Sequence, residues 1–354
     1  MKKDFIGVAR QLGQLITVSW MDNSVVLIDQ TKLPNKLVYI RCKDYMEVAD
    51  AIKKLVVRGA PAIGVSAAFG LALAAQQSKA KTLAQLMTDL DTAFKVLQAT
   101  RPTAINLFWA LEQVMAKAKR AKTLQEAKKA MIDEAIKMSE EDIQANRQMG
   151  SNGANLFSDG DVVLTHCNAG SLATVAYGTA LGVIRAARES GKRLSVIATE
   201  TRPVMQGARL TAFELQYDGV DVSLISDTAV GHMMAKRAIN RVIVGADRVL
   251  RTGHVFNKIG TYQVAVLASK HEVPFYVAAP LSTFDFESSP EDVVIEERSI
   301  DEVVKIGKRR VAPKGVRIFN PAFDMTPPEL ITGIITEKGV LKPPFEKNLK
   351  VLLG

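Results

Sequence analysis

The residues best suited to chemistry lie in the stretch Asp161–Ser171, where an apolar run ends in Thr165, His166 and Cys167. The β-branched residues of that run predict a strand, and the small and polar residues after Cys167 predict a tight turn that opens a helix. The free N–H groups at the start of such a helix attract anions, phosphates above all. Cys167 would then lie at the carboxyl end of a strand, where open α/β sheets bind their ligands. An ordinary strand-to-helix loop with a buried thiol fits the same residues.

Polar residues also follow other apolar runs of the chain. These segments are Glu200–Pro203, Ile225–Asp227, Gly245–Arg248 and Asn320–Pro321. Because the carboxyl ends of parallel strands meet at one edge of a sheet, the segments predict a ligand site at that edge. Ser226 or Asp227 also fits the N-cap of a helix, which would give it no part in the site.

Asp247 follows the apolar run Val242–Ala246. A carboxyl group at the end of a buried strand loses hydration, which favours its protonated form and suits proton transfer near neutral pH. An ion pair with Arg248 or another arginine is an equally good interpretation. Asn257 and Lys258 are predicted to open a helix shortly afterwards, where they could bind hydroxyl or phosphate groups or act as a cap and a surface charge.

Two arginines each precede a predicted helix that starts with proline. Arg58 comes before Gly59–Pro61, and Arg101 comes before Pro102. Proline suits the first helical position, glycine permits a close approach to the backbone, and the guanidinium adds a fixed charge. Both segments are therefore candidates for binding an anion, although neither continues as a Walker P-loop.

The composition excludes several classes of protein. The chain has 354 residues and is 47% hydrophobic, enough for a sizeable core in one large α/β unit or two domains. Its formal charge of +9 comes from lysines and arginines scattered among acids, so nucleic-acid binding is not predicted. Cys42 and Cys167 are the only cysteines and make no disulfide framework, which favours a reducing cytoplasm. The first residues lack the apolar core of a signal peptide.

A membrane span, a metal site and a dinucleotide site are not predicted either. Residues 59–78 carry no charge, but they are rich in alanine and glycine, so we expect a closely packed internal helix. The four histidines show no close ligand spacing, which argues against a metal centre. No Gly-x-Gly-x-x-Gly follows a strand, and no nucleophile elbow occurs.

The order of periodic patterns predicts two domains. Alternation over residues 14–41, with a turn at Asp22–Asn23, predicts a small antiparallel β unit. Helical periods follow over residues 61–77, 83–98, 104–119 and 124–149. The run Gly150–Gly153 is the predicted boundary, which gives a domain over residues 1–150 and a second over residues 151–354.

Strand and helix patterns alternate in the second domain. Strands are predicted over 161–166, 194–199, 221–225, 241–245, 274–279 and 316–319, with helices beginning near Ser171, Pro203, Asp227, Asn257 and Thr283. Near-continuous apolar strands separated by helices predict an α/β fold with a Rossmann-like, doubly wound parallel sheet. The tail from Pro343 is predicted to be a surface arm.

Taken together, the motifs resemble the methylthioribose-1-phosphate isomerase family. The matching segments, in family order, are Trp20–Asp22, Arg58–Gly64, Arg101–Thr103, Thr165–Gly170, Glu200–Pro203 with Gln206, Gly245–Arg248, Asn257–Thr261 and Asn320–Pro321. The same superfamily includes ribose-1,5-bisphosphate isomerases and regulatory subunits of a translation-initiation exchange factor. The Trp-Met-Asp segment and the complete set of site motifs favour the methylthioribose branch.

The resemblance implies an aldose–ketose isomerase of methionine salvage that acts on a sugar phosphate. Asp247 would be the proton donor, and Cys167 would stabilise the transition state or handle a proton. The substrate-binding positions would be Arg58, Gly59, Ala60, Arg101, Gln206, Asn257 and Lys258. The resemblance also implies a homodimer and no metal or redox cofactor. The alternatives are an isomerase of another 1-phosphopentose (5-deoxyribose 1-phosphate or ribose 1,5-bisphosphate) and a non-catalytic regulatory subunit.

Overall fold

The computed structural model describes residues 15–101 and 105–353, and packing divides the chain into two compact units. The first unit holds the residues up to Arg147 together with Gly170–Gly182, and the second holds Gln148–Ala169 together with the residues from Val183 onward. This grouping differs from the predicted boundary after residue 150, chiefly because the segment Gly170–Gly182 packs with the N-terminal residues.

The first unit begins with a three-stranded antiparallel sheet of β1 (Val18–Met21), β2 (Ser24–Ile28) and β3 (Tyr39–Cys42). Asp22 and Asn23 connect β1 to β2 with φ of 46° and 57°. A two-residue hairpin turn of this type needs a left-handed backbone at both of its central residues, and Asn and Asp adopt that conformation more readily than most residues. The predicted β unit and its turn are confirmed.

Helices complete the first unit. They are α1 (Tyr45–Lys53), α2 (Ala60–Gln77), α3 (Leu83–Gln98), α4 (Ile105–Arg120) and α5 (Leu124–Ala154), the last of which continues into the second unit. All four predicted helices are confirmed. Every residue of α2 from Ala62 to Ala75 is buried, as expected for an uncharged helix inside a core. No helix among the described residues is long and apolar enough to span a membrane.

The run Gly150–Gly153 lies within α5 and is not a linker. A Cβ on Gly153 would lie 2.8 Å from Val183 Cγ1 and 3.0 Å from Ile335 Cδ1. This glycine therefore permits close packing of the helix, whereas glycine in the sequence pattern suggested a break.

The second unit is built on a seven-stranded sheet. Its strands are β4 (Val162–Thr165), β5 (Ser195–Thr199), β6 (Asp221–Ile225), β7 (Arg241–Val244), β10 (Phe275–Ala278), β15 (Gly333–Thr336) and β16 (Gly339–Leu341). The spatial order is β16-β15-β10-β7-β4-β5-β6, and all neighbours pair in parallel except β15 and β16. Numbered along the chain, the parallel strands follow the Rossmann order 3-2-1-4-5-6. The predicted fold class is confirmed.

Smaller elements lie between and after the strands of this sheet along the chain. The helices are α6 (Ala180–Glu189), α7 (Ala212–Tyr217), α8 (Val230–Ala235), α9 (Thr261–Lys270), α10 (Asp301–Val304) and α11 (Phe345–Leu353). A four-stranded sheet is formed by β8 (Arg248–Leu250), β9 (Val255–Lys258), β11 (Phe284–Asp285) and β14 (Phe323–Thr326), and β12 (Lys305–Ile306) pairs with β13 (Arg309–Arg310). The β8–β9 hairpin matters most here, because it follows Asp247 directly.

Two predicted elements of the second unit are wrong. Residues 316–319 form no strand, and the sixth parallel strand is β15. Val316 and Phe319 are 49% and 73% exposed, whereas every residue of β15 is buried, as an internal parallel strand must be. The tail is not a surface arm either, because α11 buries Phe345 and Leu349 in the core of this unit.

Three predicted helix starts are also wrong. Ser171 begins only a three-residue 3-10 turn, and near Thr283 the chain enters β11. Asn257 belongs to β9, and the helix that follows begins at Thr261. Gly260 has φ of 99°, so a left-handed glycine separates the strand from the helix.

Candidate active site

The strands β4 and β7 are neighbours at the point where the strand order reverses. Ligands of doubly wound sheets bind in the crevice at the carboxyl ends of such a pair. Cys167 lies shortly after the end of β4, and Asp247 lies shortly after the end of β7. The two residues predicted to be catalytic therefore leave neighbouring strands at the same edge of the sheet.

The backbone of Cys167 is held in an uncommon conformation. Cys167 is 7% exposed and has φ of 68°, in the left-handed region that residues other than glycine seldom adopt. Its N–H donates to Thr201 Oγ1 at 2.9 Å, and its carbonyl accepts from Thr211 Oγ1 at 2.6 Å. The two threonine hydroxyls thus hold this residue from both sides, which offsets the backbone strain.

The expected helix start beside Cys167 does not occur in the described residues. The chain forms a 3-10 turn at Ser171, and α6 begins only at Ala180. A turn of three residues has no appreciable macrodipole, because few peptide dipoles are aligned in it. The helix N-terminus that was expected to attract an anion beside Cys167 is therefore not provided by this segment.

Gln206 contacts the thiol directly. Its Nε2 donates to Cys167 Sγ at 3.4 Å, and the residue is 5% exposed. Its Oε1 is buried and has no hydrogen-bond partner among the described residues. A buried amide oxygen left without a donor is costly, so this acceptor is suited to a hydroxyl group of a bound ligand.

One turn of π-helix, Gly207–Thr211, explains why Gln206 and Thr211 both reach Cys167. In an α-helix, residues five apart point about 140° away from each other. In the wider π turn the Ala212 N–H bonds to the carbonyl five residues earlier, which returns the two side chains to nearly the same face. Single π turns of this kind are frequent at functional sites.

Gly207 allows the π turn to lie directly on the end of β5. A Cβ at this position would lie 1.8 Å from the Thr199 carbonyl oxygen and 2.7 Å from Thr201 Oγ1. No side chain fits there, so the glycine lets the segment that carries Gln206 approach the strand that leads to Thr201.

Asp247 lies at the start of the β8–β9 hairpin, and its N–H donates to the Phe256 carbonyl at 2.9 Å. Because Arg248 pairs with Phe256 in the hairpin, Asp247 lies next to Asn257. Asn257 is 4% exposed, and its Nδ2 donates to Thr261 Oγ1 at 3.0 Å. The hairpin therefore brings the predicted acid beside a predicted substrate-binding amide.

The cations of this hairpin have partners of their own. Lys258 Nζ donates to the Ala322 carbonyl at 2.7 Å and lies 4.4 Å from the centroid of the Phe323 ring, a cation–π contact. Arg248 forms an ion pair with Asp285 at 3.1 Å, so its carboxylate partner is not Asp247. Among residues 15–101 and 105–353, no three His, Cys, Asp or Glu side chains are grouped so that they could hold a metal ion.

In the first unit, Arg58 and Gly59 precede α2, and Ala60 is the first residue of that helix. Gly59 has φ of 92°, and a Cβ on it would lie 2.3 Å from the Ala173 carbonyl oxygen. The close approach that this glycine permits is thus to the backbone of the segment Gly170–Gly182, which no sequence pattern indicated.

Arg101 precedes α4 in the sequence. Pro102 and Thr103, the other residues of that motif, lie outside the described residues. Asn106, in the first turn of α4, packs against Gly64, since a Cβ on Gly64 would lie 2.9 Å from the Asn106 carbonyl oxygen. The N-terminal part of α2 therefore touches the first described turn of α4, and each of the two helices follows one of the arginines.

Sequence reasoning placed Thr201 and Asp227 in polar segments at the ends of strands, but it did not predict that they hold the Cys167 loop. Asp227 accepts the N–H groups of Thr201 and Arg202, both at 2.7 Å, and so fixes the turn after β5. The polar cluster at the end of β5 was a usable signal for Thr201. Thr211 has no such signal, because its contact depends on the π turn.

A Rossmann-ordered sheet with polar groups at its switch point defines a ligand-binding α/β protein. The model of the Initiation factor 2 subunit family matches residues 56–343. The methylthioribose-1-phosphate isomerase of Fervidobacterium nodosum is 54% identical over 340 residues, which cover 95% of this chain and 97% of that protein. The chain belongs to this family, in the branch that holds the methylthioribose-1-phosphate isomerases.

Solved structures agree with this assignment. The 5-methylthioribose 1-phosphate isomerase of Pyrococcus horikoshii has a TM-score of 0.90 and 47% identity, covering 96% of this chain and 95% of that one. The translation initiation factor eIF-2B, subunit delta, from A. fulgidus has a TM-score of 0.88 and 53% identity, covering 96% and 99%. The P. horikoshii translation initiation factor eIF-2B reaches a TM-score of 0.68 and 28% identity, covering 85% and 97%. Of these two P. horikoshii proteins, the isomerase is the more similar to this chain.

Proposed function

We propose that the chain converts 5-methylthioribose 1-phosphate to 5-methylthioribulose 1-phosphate in methionine salvage. One observation carries the proposal: Cys167 and Asp247 follow neighbouring strands at the switch point of the sheet, in a chain that is 54% identical to a named isomerase. An acid and a second polar group at one sheet edge are what acid-assisted isomerisation of a sugar requires.

The substrate sets the chemical problem. Its anomeric oxygen carries the phosphate, so the ring cannot open as a free hemiacetal does. Asp247 donates a proton to the ring oxygen while the bond between that oxygen and the first carbon breaks, and for this step its carboxyl group must be protonated. Hydrogen then moves from the second carbon to the first. The hydroxyl on the second carbon becomes the ketone and returns its proton to the Asp247 carboxylate, so the aldose and the ketose have the same composition.

Two routes for that hydrogen involve Cys167 differently. In one route a Cys167 thiolate takes a proton from the second carbon, and a proton is then delivered to the first carbon of the enediol-type intermediate. In the other, a hydride shifts directly, and Cys167 stabilises the transition state as a neutral thiol. Reaction in heavy water separates them: deuterium at the first carbon of the ketose supports the thiolate route, and complete retention of hydrogen supports the hydride shift or a shielded base.

The remaining predicted site residues bind the substrate in this proposal. Arg58 and Arg101 hold the phosphate together with N–H groups at the start of α2, a role supported by the contact of Gly64 in α2 with Asn106 in α4. Gln206 Oε1 accepts a sugar hydroxyl, since it is buried without a partner among the described residues. Gly59, Ala60, Asn257 and Lys258 complete the set that the family motifs imply.

Turnover of a panel of sugar phosphates tests the proposal. The panel contains 5-methylthioribose 1-phosphate, 5-deoxyribose 1-phosphate and ribose 1,5-bisphosphate, with phosphorus NMR as the readout. We expect the highest kcat/KM for the methylthio sugar. A clear preference for another member would reassign the substrate, and no turnover of any member would favour a regulatory subunit over an enzyme.

We further propose that the chain forms a homodimer in a reducing cytoplasm. Cys42 and Cys167 are free and buried, which suits a compartment that keeps thiols reduced. Light scattering should give a mass twice that of the 38.5 kDa chain. A mass equal to that of one chain at micromolar concentration would contradict the dimer.

A further inference from the structure

His166, next to Cys167, lies between two loops of the second unit. It is 1% exposed, its Nδ1 lies 2.7 Å from Thr199 Oγ1, and its Nε2 lies 2.9 Å from the Ile259 carbonyl oxygen. A carbonyl oxygen can only accept a hydrogen bond, so Nε2 must carry a hydrogen. Burial lowers the pKa of His166, which keeps the ring neutral and leaves Nδ1 as an acceptor.

This tautomer fixes the direction of every hydrogen bond that follows. Nδ1 accepts from the Thr199 hydroxyl, so that hydroxyl cannot donate to Thr201, whose Oγ1 lies 3.1 Å away. Thr201 can therefore only donate in this pair, to Thr199 Oγ1 at 3.1 Å or to the Thr199 carbonyl oxygen at 3.3 Å, and the shorter contact continues the chain. Its own Oγ1 accepts the Cys167 N–H at 2.9 Å. One directed chain runs from the Cys167 N–H through two threonines and the imidazole to the Ile259 carbonyl.

The other end of the chain holds the loop after β9. Ile259 follows Lys258, and its own N–H donates to the Ala322 carbonyl at 3.0 Å. Gly260 lies against the imidazole, since a Cβ there would be 3.0 Å from His166 Cε1 and 3.1 Å from Nε2. The imidazole thus fills the space between the Cys167 loop and the loop that follows Asn257 and Lys258.

We propose that His166 is a positioning residue that sets the geometry of Cys167 relative to the Asn257–Lys258 loop, through Thr199 and Thr201 on one side and Ile259 on the other. The inference rests on the proposed isomerase function and adds to it a residue that touches neither the substrate nor the reacting atoms. Because Cys167 is held at a left-handed φ, loss of the chain lets its backbone relax away from the conformation in which the thiol is placed.

Two substitutions of His166 separate the two ends of the chain. In His166→Asn the amide oxygen reaches the place of Nδ1 and can accept from Thr199, whereas the link to Ile259 is lost. In His166→Gln the amide N–H reaches the place of Nε2 and can donate to Ile259, whereas the link to Thr199 is lost. We expect His166→Gln to lower kcat by about tenfold to a hundredfold at nearly constant KM, and His166→Asn chiefly to raise KM.

Thr199→Val is the second test, with Thr326→Val as its matched control. Both side chains are 0% exposed, but Thr326 Oγ1 has no hydrogen-bond partner among the described residues. Thr199→Val should lower kcat as His166→Gln does, and Thr326→Val should leave both kcat and KM unchanged. Equal kcat values for the two valine variants, or the same change in KM for both His166 variants, would overturn the proposal.

Nitrogen NMR of histidine-labelled wild-type protein tests the chain without turnover. We expect His166 as a neutral ring at pH 7 with hydrogen on Nε2, and a shifted Nδ1 signal in Thr199→Val. A hydrogen on Nδ1, or a doubly protonated ring, would overturn the proposal even if every His166 variant fails to fold. If the wild type turns over no sugar phosphate, the proposed function fails, whereas the NMR result still decides whether the directed chain exists.

Discussion

For Cys167, the sequence predicted its position in the fold, and the structure shows how its backbone is held. The pattern around it correctly predicted a cysteine just after the first strand of a parallel sheet, at the edge where ligands bind. It did not predict the left-handed backbone or the two threonine hydroxyls that hold it. Those contacts join residues 34 and 44 positions apart, so no local pattern carries them.

Arg58→Lys tests the proposed phosphate site. A planar guanidinium can bind a phosphate with two parallel hydrogen bonds, and an ammonium cannot, so we expect KM for the sugar phosphate to rise at least about tenfold with a smaller change in kcat. The measurement is steady-state kinetics on 5-methylthioribose 1-phosphate. Arg193→Lys is the control, because the Arg193 side chain is 86% exposed and its partner among the described residues is Asp159 at the surface. A KM for Arg58→Lys equal to that of the control would remove Arg58 from the site.

Among the elements, the long helices of the first unit were predicted more reliably than the helix starts and the last parallel strand of the second unit. Helices α2 to α5 have strong periods and long lengths, and their predicted positions are confirmed. The apolar run 316–319 imitated a buried strand, although Phe319 is 73% exposed. The true strand, β15, begins with Gly333 and is only four residues long, so it gives a weak pattern. Which of the two segments forms the strand depends on burial in the tertiary structure, which the sequence pattern does not show.

The π turn could not be predicted from the sequence, for a different reason. Its extra residue is stabilised by contacts on both sides, from Gln206 to the Cys167 thiol and from Thr211 to the Cys167 carbonyl. A π turn has no hydrophobic period of its own in five residues, so the pattern around it predicts only a helix.

Gly207→Ala tests the π turn. An added Cβ would lie 1.8 Å from the Thr199 carbonyl oxygen, so the turn must move away from β5. We expect a loss of unfolding free energy of about 1–3 kcal/mol in urea, together with a lower kcat because Gln206 and Thr211 move with the turn. Gly231→Ala in α8 is the matched control. Its Cβ would make an ordinary 3.4 Å contact with Leu267 Cδ2, so stability should stay constant or rise. Unchanged kcat in Gly207→Ala would contradict the role given to the turn.

Asp142 makes the stability of the first unit depend on pH. It accepts the Val175 N–H at 2.8 Å and Asn146 Nδ2 at 3.0 Å, and burial raises its pKa from 3.8 to about 7. Between these two values the folded protein keeps a proton that the unfolded chain has lost, so this group's contribution to stability falls as pH rises from about 4 to about 7.

Asp142→Asn tests that linkage. The amide stays neutral and can still accept one hydrogen bond, so the variant should gain stability relative to wild type as pH rises from 5 to 8, by up to about 1.4 kcal/mol per pH unit below pH 7. Urea unfolding of both proteins across this range gives the difference directly. A difference that stays constant with pH would show that Asp142 is ionised in the folded state throughout.

At the scale of the whole molecule, the chain passes from the second unit to the first at Gly170 and returns at Val183. No change in composition marks these crossings, so the sequence predicted a single boundary near residue 150. The residues that hold Gly170–Gly182 in the first unit are distant in sequence: Thr17 Oγ1 donates to the Ser171 carbonyl at 2.6 Å, and Gln30 Nε2 donates to the Leu172 carbonyl at 2.7 Å. The family was easier to predict than this connection. Short motifs identify the family directly, whereas the packing of Gly170–Gly182 depends on residues that are distant in the sequence.

If Asp247 and Cys167, at the switch point of the sheet, carry out the isomerisation, Asp247→Asn must lower kcat on 5-methylthioribose 1-phosphate. The amide keeps the shape of the side chain but removes the exchangeable acid, and general acid–base catalysis is worth about 10²–10⁴-fold. We predict a normal fold and a kcat at least about a hundredfold lower, a matching loss in Cys167→Ser, and wild-type kcat in the surface control Asp159→Asn. A kcat of Asp247→Asn close to that of the wild type would show that Asp247 is not the acid of this reaction.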